Sequence, residues 1–141
     1  MLRGLTTLRF HAADLDAARR WYTELLGLPP YFERPGYVEF RIGDHQHELG
    51  LLDSRYRGQL SQDGIEASGA GGAVVYWHVD DLAAALERAT ALGARVHEPT
   101  RAFGEGYVGA SVIDPFGNIL GLMFNRHYLE MLDNAQPAKS Q

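Results

Sequence analysis

The chain writes one unit twice, and this repetition limits its possible folds more than any other feature. The stretch 114–123, DPFGNILGLM, is turn chemistry running into a strand. Pro fixes φ, Gly tolerates φ > 0, and Asp and Asn bond their own backbone. With 107–113 before it and 119–124 after it, the segment reads as a β-hairpin. An earlier stretch, 37–52, reads YVEFRIGDHQHELGLL and lines up with YVGASVIDPFGNILGLM. The two share Tyr-Val at the start, Asp at the turn and Leu-Gly-Leu at the end, so Tyr37 falls on Tyr107 and Gly50 on Gly121.

A second match removes chance as an explanation. TLRFHAADL, from Thr7, aligns with VVYWHVDDL, from Val74, which sets His11 on His78, Asp14 on Asp81 and Leu15 on Leu82. Each is followed by an amphipathic run that ends in Leu-Gly, at Gly27 and at Gly93. A period of about seventy residues is too long for a solenoid repeat, so the reading is a duplicated β-α-β-β module.

In chain order, residues 5–12 alternate as a half-buried strand, with Leu8, Phe10 and Ala12 on one face and Thr7, Arg9 and His11 on the other. Asp14 is the expected N-cap of a helix striped by Leu15, Ala18, Tyr22 and Leu25, with Gly27 as its C′ residue and Pro29-Pro30 preventing its resumption. A loop of Tyr, Phe, Arg and Pro leads to the first hairpin. The second module repeats the plan: a strand over 73–79, a helix capped by Asp81 and closed by Gly93, a short edge strand over 94–97, and a loop PTRAFGEG over 99–106. That loop's aromatic and two glycines suit movement over a pocket. A short helical turn, HYLEML, and a frayed polar tail follow. The boundaries are module 1 at about 4–53, a linker at about 54–72 whose length also suits a functional loop, module 2 at about 73–126 and a tail at 127–141.

Composition excludes several classes. The 141 residues suit one domain or two half-domains sharing a core. A net charge of −5 argues against a nucleic-acid surface. No apolar run approaches the ~18 residues of a membrane span, and the N-terminus lacks a signal-peptide core, so the expectation is a cytoplasmic protein with no membrane partner. With no cysteine, thiolate catalysis, disulfides and Cys-based metal sites are ruled out.

Two strand–helix–hairpin modules, each with Asp-Leu at a helix start and Leu-Gly at its end, plus an Asp-Pro-x-Gly-Asn hairpin, resemble the vicinal oxygen chelate superfamily. That superfamily includes glyoxalase I, extradiol dioxygenases and bleomycin-resistance proteins. The resemblance covers about residues 4–126 and implies an α+β fold: two tandem βαβββ modules forming a curved mixed-sheet cup, commonly paired as a homodimer that buries edge strands. Metal-using relatives draw one ligand from the first strand of each module and one from each final strand. Here those positions are Thr7, Gly50, Val74 and Gly121. A divalent ion needs several converging N or O side chains, and two glycines, a valine and one threonine do not supply them. The resemblance thus implies a fold without its usual metal site and no cofactor.

The metal-equivalent positions also identify the face that looks into the cup. By strand parity Arg9 and His11 lie beside Thr7, Tyr76 and His78 beside Val74, Glu48 beside Gly50, and Met123 and Asn125 beside Gly121. Glu39, Arg41 and Ser111 join them, and Phe103 and Tyr107 flank the last hairpin. The ligand-binding candidates are therefore Arg9, His11, Arg41, Glu48, Tyr76, His78, Phe103, Tyr107, Met123 and Asn125. Each has an ordinary alternative: Arg9 and Glu48 as a fold-holding ion pair, the two histidines as structural hydrogen bonders, and the tyrosines as packing. His45 and His47 read as an exposed turn rather than a metal clip.

Two functions are open at this stage. One is a metal-free protein that binds a small organic molecule in the cup, as in the bleomycin-resistance branch. The other is a lyase, isomerase or dioxygenase of the same superfamily, using an off-position metal or metal-free acid–base chemistry through Glu48, Tyr76 or His78.

Overall fold

The computed structural model describes residues 1, 3, 5–57 and 74–135. The chain forms two compact units, Met1–Ala73 with Pro115–Asn118, and Val74–Asp114 with Ile119–Gln141. Each carries a βαβββ module, so the α+β class implied by the resemblance is what is observed.

Unit 1 contains β1 (Thr7–Ala12), α1 (Leu15–Leu26), β2 (Phe32–Arg34), β3 (Tyr37–Ile42) and β4 (His47–Asp53), followed by a 3-10 turn, Ser54–Arg57. The sheet order is β1-β4-β3-β2, with β1 parallel to β4 and the other pairs antiparallel. Asp14 caps α1 by accepting from the Ala17 N–H at 3.0 Å, and Gly27, at φ 69°, ends it by donating to the Thr23 carbonyl. Period-2 alternation buries Phe10, Ala12, Val38, Phe40, Leu49 and Leu51 on one face, against Ala18 and Tyr22 of α1. Tyr22 sits between Phe10 and Phe40, with ring centroids 6.2 and 6.5 Å away. Each large side chain buried this way contributes about 1.5–3 kcal/mol.

Unit 2 contains β5 (Tyr76–His78), α2 (Leu82–Ala91), β6 (Arg95–Gly104), β7 (Tyr107–Ile113), β8 (Ile119–Asn125) and α3 (Arg126–Ala135). The order β5-β8-β7-β6 repeats that of unit 1, again with the first strand parallel to the last. Asp81 caps α2 through the Ala84 N–H at 3.0 Å. Leu82 and Ala89 pack on Ala110, Val112, Leu120 and Leu122.

Three sequence expectations change. The region read as a short edge strand followed by a loop is one ten-residue strand, β6, with register shifts between Val96 and Glu98, Glu98 and Arg101, and Ala102 and Gly104. Pro99 is accommodated because β6 lies at the sheet edge, where its missing N–H costs no ladder bond. The loop before the first hairpin contains a strand of its own, β2. The HYLEML turn is part of a ten-residue helix, α3. The linker expected at about 54–72 begins with the 3-10 turn, and the rest of it, like the end of the tail, lies outside the described residues.

Candidate ligand-binding site

The sheet register fixes which residues share the face turned away from each helix. In unit 1 one cross-strand row reads Arg9, Gly50, Glu39, Phe32. In unit 2 the equivalent row reads Tyr76, Gly121, Ser111, Glu98. Arg9 thus corresponds to Tyr76, Glu39 to Ser111 and Phe32 to Glu98. Tyr37 stands opposite Leu52, whereas Gly109 stands opposite Met123, so the counterpart of Tyr37 is Gly109. The shared Tyr-Val in the sequence suggested Tyr107, which is two positions away and faces Asn125.

In unit 1 this face is filled by its own side chains. The Tyr37 ring lies over Gly50 so closely that a Cβ there would sit 2.5 Å from the tyrosine oxygen. Its hydroxyl donates to Glu39 Oε2 at 2.6 Å, Phe32 packs with a ring-centroid distance of 6.5 Å, and the Arg34 guanidinium lies 5.3 Å from the ring centroid. Burial, then the hydrogen bond and charge of Glu39 and the charge of Glu48, push the Tyr37 hydroxyl up to about 12, against the opposing pull of Arg34. Glu48 accepts from Thr7 Oγ1 at 2.8 Å and lies 3.6 Å from the Arg41 guanidinium, which in turn covers the Tyr31 ring at 3.9 Å. Glu48 therefore pairs with Arg41 and not with Arg9. Arg9 is exposed and forms no ion pair among the described residues.

Unit 2 has no counterpart of the Tyr37 side chain, and its glycine is covered from another strand. Tyr76 covers Gly121 from the β5 side: a Cβ there would meet the Val75 carbonyl at 2.6 Å and the Tyr76 ring at 2.9 Å. The Tyr76 hydroxyl reaches Glu98 Oε2 at 3.4 Å, a long bond. In the register only Gly121 and Ser111 stand between these partners, so the Tyr76 ring passes over both. Ser111 is fully buried, and its Oγ has no hydrogen-bond partner among the described residues. A cleft of about 450 Å³ is lined by Tyr76, Glu98, Pro99, Arg101, Phe103 and Gly109. That volume falls in the range of small-molecule pockets. Phe103 reaches over Gly109, and Arg101 sits 4.9 Å from the Phe103 ring centroid.

Met123 borders Gly109. Tyr107 lies 5.9 Å from the Arg126 guanidinium. His78 Nδ1 accepts from the Asn125 N–H at 3.2 Å, its Nε2 is 3.1 Å from Asp80 Oδ1, and its ring stacks on Tyr128 at 4.7 Å. Asn125 Oδ1 receives the Tyr128 N–H at 3.0 Å, so His78 and Asn125 both brace the start of α3. In unit 1 the His11 backbone is bonded by the Asn118 side chain. Of the ten candidates, Tyr76 and Phe103 line the cleft, Arg41 and Glu48 pair within unit 1, and His78 and Asn125 join at the start of α3.

The donor set does not fit the metal of this fold. Thr7, Gly50, Val74 and Gly121 offer one hydroxyl, and that hydroxyl is committed to Glu48. The space over each glycine is taken by a tyrosine ring. Among the described residues no group of three or more His, Asp or Glu side chains could hold a metal ion.

Sequence reading missed Glu98, Pro99, Arg101 and Gly109. A proline and two glycines made their segment look like a loop, yet Val96, Glu98, Arg101 and Phe103 on an edge strand carried the signal. Gly109 was hidden by the Tyr-Val match, which aligned the wrong residue with Tyr37.

The chain matches the family model described as Glyoxalase/Bleomycin resistance protein/Dioxygenase superfamily over residues 5–122. No curated protein matches it. Among solved structures, a glyoxalase-related enzyme from Fulvimarina pelagi superposes with a TM-score of 0.67 at 23% identity, covering 88% of this chain and 89% of that one. A lactoylglutathione lyase from Agrobacterium tumefaciens gives 0.62 at 26% identity, covering 85% and 92%. A glyoxalase/bleomycin resistance protein/dioxygenase from Nocardioides gives 0.60 at 18% identity, covering 100% and 91%. With the family match running through both modules, the chain belongs to the Glyoxalase/Bleomycin resistance protein/Dioxygenase superfamily.

Proposed function

We propose that this protein binds a small organic molecule in the cleft of unit 2, without a metal ion at the superfamily's usual positions. The observation that carries the reading is the difference between Tyr37 and Gly109. At equivalent positions unit 1 supplies a ring that lies over Gly50, whereas unit 2 supplies no side chain; there Phe103 reaches over Gly109, and a cleft of about 450 Å³ is lined by Tyr76 and Phe103. Aromatic walls with a few polar groups are what a small-molecule site needs. A second reading, a lyase, draws on the 26% identity to the Agrobacterium tumefaciens lactoylglutathione lyase. In this chain such a catalyst would have to move protons through Tyr76 and Glu98, because the usual metal donors are missing.

The reading extends to a cytoplasmic homodimer with neither nucleic acid nor membrane as partner. Its support is the net charge of −5, the lack of any helix long and apolar enough to cross a membrane among the described residues, and an edge strand, β6, exposed at all ten positions. Sedimentation at micromolar concentration is expected to give a dimer, and a 15.6 kDa species alone would exclude one.

A fragment screen followed by amide NMR, run in EDTA, tests the binding site. Shifts should cluster on Tyr76, Arg101, Phe103 and Gly109. Hits that map elsewhere, or that disappear with the chelator, would overturn the reading.

A further inference from the structure

The charges in the unit 2 cleft are unequally satisfied, and the inequality selects a class of ligand. Glu98 and Arg101 both line the cleft from β6, but they form no ion pair with one another. A register shift separates them, so Glu98 stands opposite Ser111 and Arg101 opposite Gly109. Glu98 already receives the Tyr76 hydroxyl at 3.4 Å. Arg101 has neither a carboxylate nor a hydrogen-bond acceptor among the described residues, and its one defined contact is the Phe103 ring at 4.9 Å. A guanidinium beside an aromatic ring spends none of its N–H groups there, and its fork can take a carboxylate by two parallel hydrogen bonds.

We propose that the cleft takes aromatic carboxylates, with the ring against Tyr76 and Phe103 and the carboxylate on Arg101. The proposal rests on the reading that this cleft is the binding site. Pro99 and the two aromatic side chains supply the flat apolar walls a ring needs, and the volume admits one or two fused rings. Glu98 repels an anion at its own end of the cleft, which sets the ligand's orientation rather than excluding it. The chain's net charge of −5 opposes anions only at long range. At physiological salt that field is screened beyond ~8 Å, whereas a bidentate contact acts within hydrogen-bonding distance.

The test is an amide-NMR titration of the full chain with three probes: 2-naphthoate, 2-naphthylmethylamine and cyclohexanecarboxylate. Naphthoate should shift the Arg101, Phe103 and Gly109 amides and bind about tenfold more tightly than either comparison probe. Arg101→Gln should weaken naphthoate about tenfold and leave the amine unchanged, and Arg101→Lys should recover part of the loss. Equal binding of the amine and naphthoate at the cleft, or indifference of naphthoate to Arg101→Gln, overturns the ligand class and leaves the cleft assignment standing. If no probe moves the cleft amides, the cleft assignment falls and the ligand class falls with it.

Discussion

Asn118 holds His11 by both ends of its peptide: Oδ1 accepts from the His11 N–H at 3.1 Å, and Nδ2 donates to the His11 carbonyl at 2.9 Å. β1 is the edge strand of the unit 1 sheet, so these groups have no strand on their outer side. The asparagine amide takes the place of that missing neighbour. Trp21 and Phe116, edge-on at 6.3 Å, pack the same turn.

Asn118→Ala should therefore destabilise the protein by about 1–3 kcal/mol, two hydrogen bonds at roughly 0.5–1.5 each. Asn118→Asp keeps the acceptor and loses the donor, so it should fall between alanine and wild type. Urea midpoints measure the loss, and hydrogen exchange at the His11 N–H should accelerate in the alanine variant, which alone lacks its acceptor. Unchanged exchange would mean that the side chain does not secure the strand.

Gly50 and Gly121 occupy equivalent positions and should respond differently to alanine. At Gly50 the obstacle is the Tyr37 side chain, which can swing away, so Tyr37→Ala should relieve Gly50→Ala. At Gly121 the nearest obstacle is the Val75 carbonyl, a backbone atom, so Tyr76→Ala should give little relief. Each glycine substitution alone is expected to cost about 1–3 kcal/mol, as overpacking does. Double-mutant cycles read the difference as a large coupling at the first pair and a small one at the second.

The fold was legible because local signals agreed with it: both Asp caps, the glycine closing α1 and the alternation in β1 and β3 reappear in the structure. β6 was not, since Pro99 and three register shifts break a strand's period. The site was legible only in part. Parity placed Tyr76 and Glu48 on the faces turned from the helices, but identical letters at Tyr37 and Tyr107 hid the two-residue offset that leaves Gly109 at the cleft floor. Register also decided a pairing that parity leaves open: Arg41, directly across from Glu48, takes the carboxylate for which Arg9, one row away, was an alternative partner.

Tyr37 gives the protein an alkaline stability window. Its hydroxyl is raised from an ordinary value of 10.0 to about 12. Below pH 10 folded and unfolded chains both keep this proton, and the group adds no pH dependence. Between 10 and about 12 the unfolded chain releases a proton that the folded chain retains, so stability falls as pH rises. Tyr37→Phe removes this contribution. Denaturant midpoints across that range should decline more steeply for wild type than for the variant, and parallel declines would refute the assignment.

The two ring nitrogens of His78 have different duties. The Asn125 backbone N–H can only donate, so Nδ1 must accept, and the ring proton sits on Nε2, directed at Asp80 Oδ1. Stacking at 13° on Tyr128 of α3 fixes the ring plane, and only 9% of the side chain is exposed. Nitrogen-15 NMR of neutral protein should accordingly show the Nε2–H tautomer, the less common form of free histidine being excluded by the fixed donor at Nδ1. His78→Phe keeps an aromatic ring against Tyr128 but leaves the Asn125 N–H without its acceptor, a loss of about 1–3 kcal/mol. His78→Ala removes both the acceptor and the stack, and should cost more while speeding hydrogen exchange along α3. If histidine served ligand chemistry instead of the helix, the two variants would lose binding in the cleft with α3 exchange unaltered.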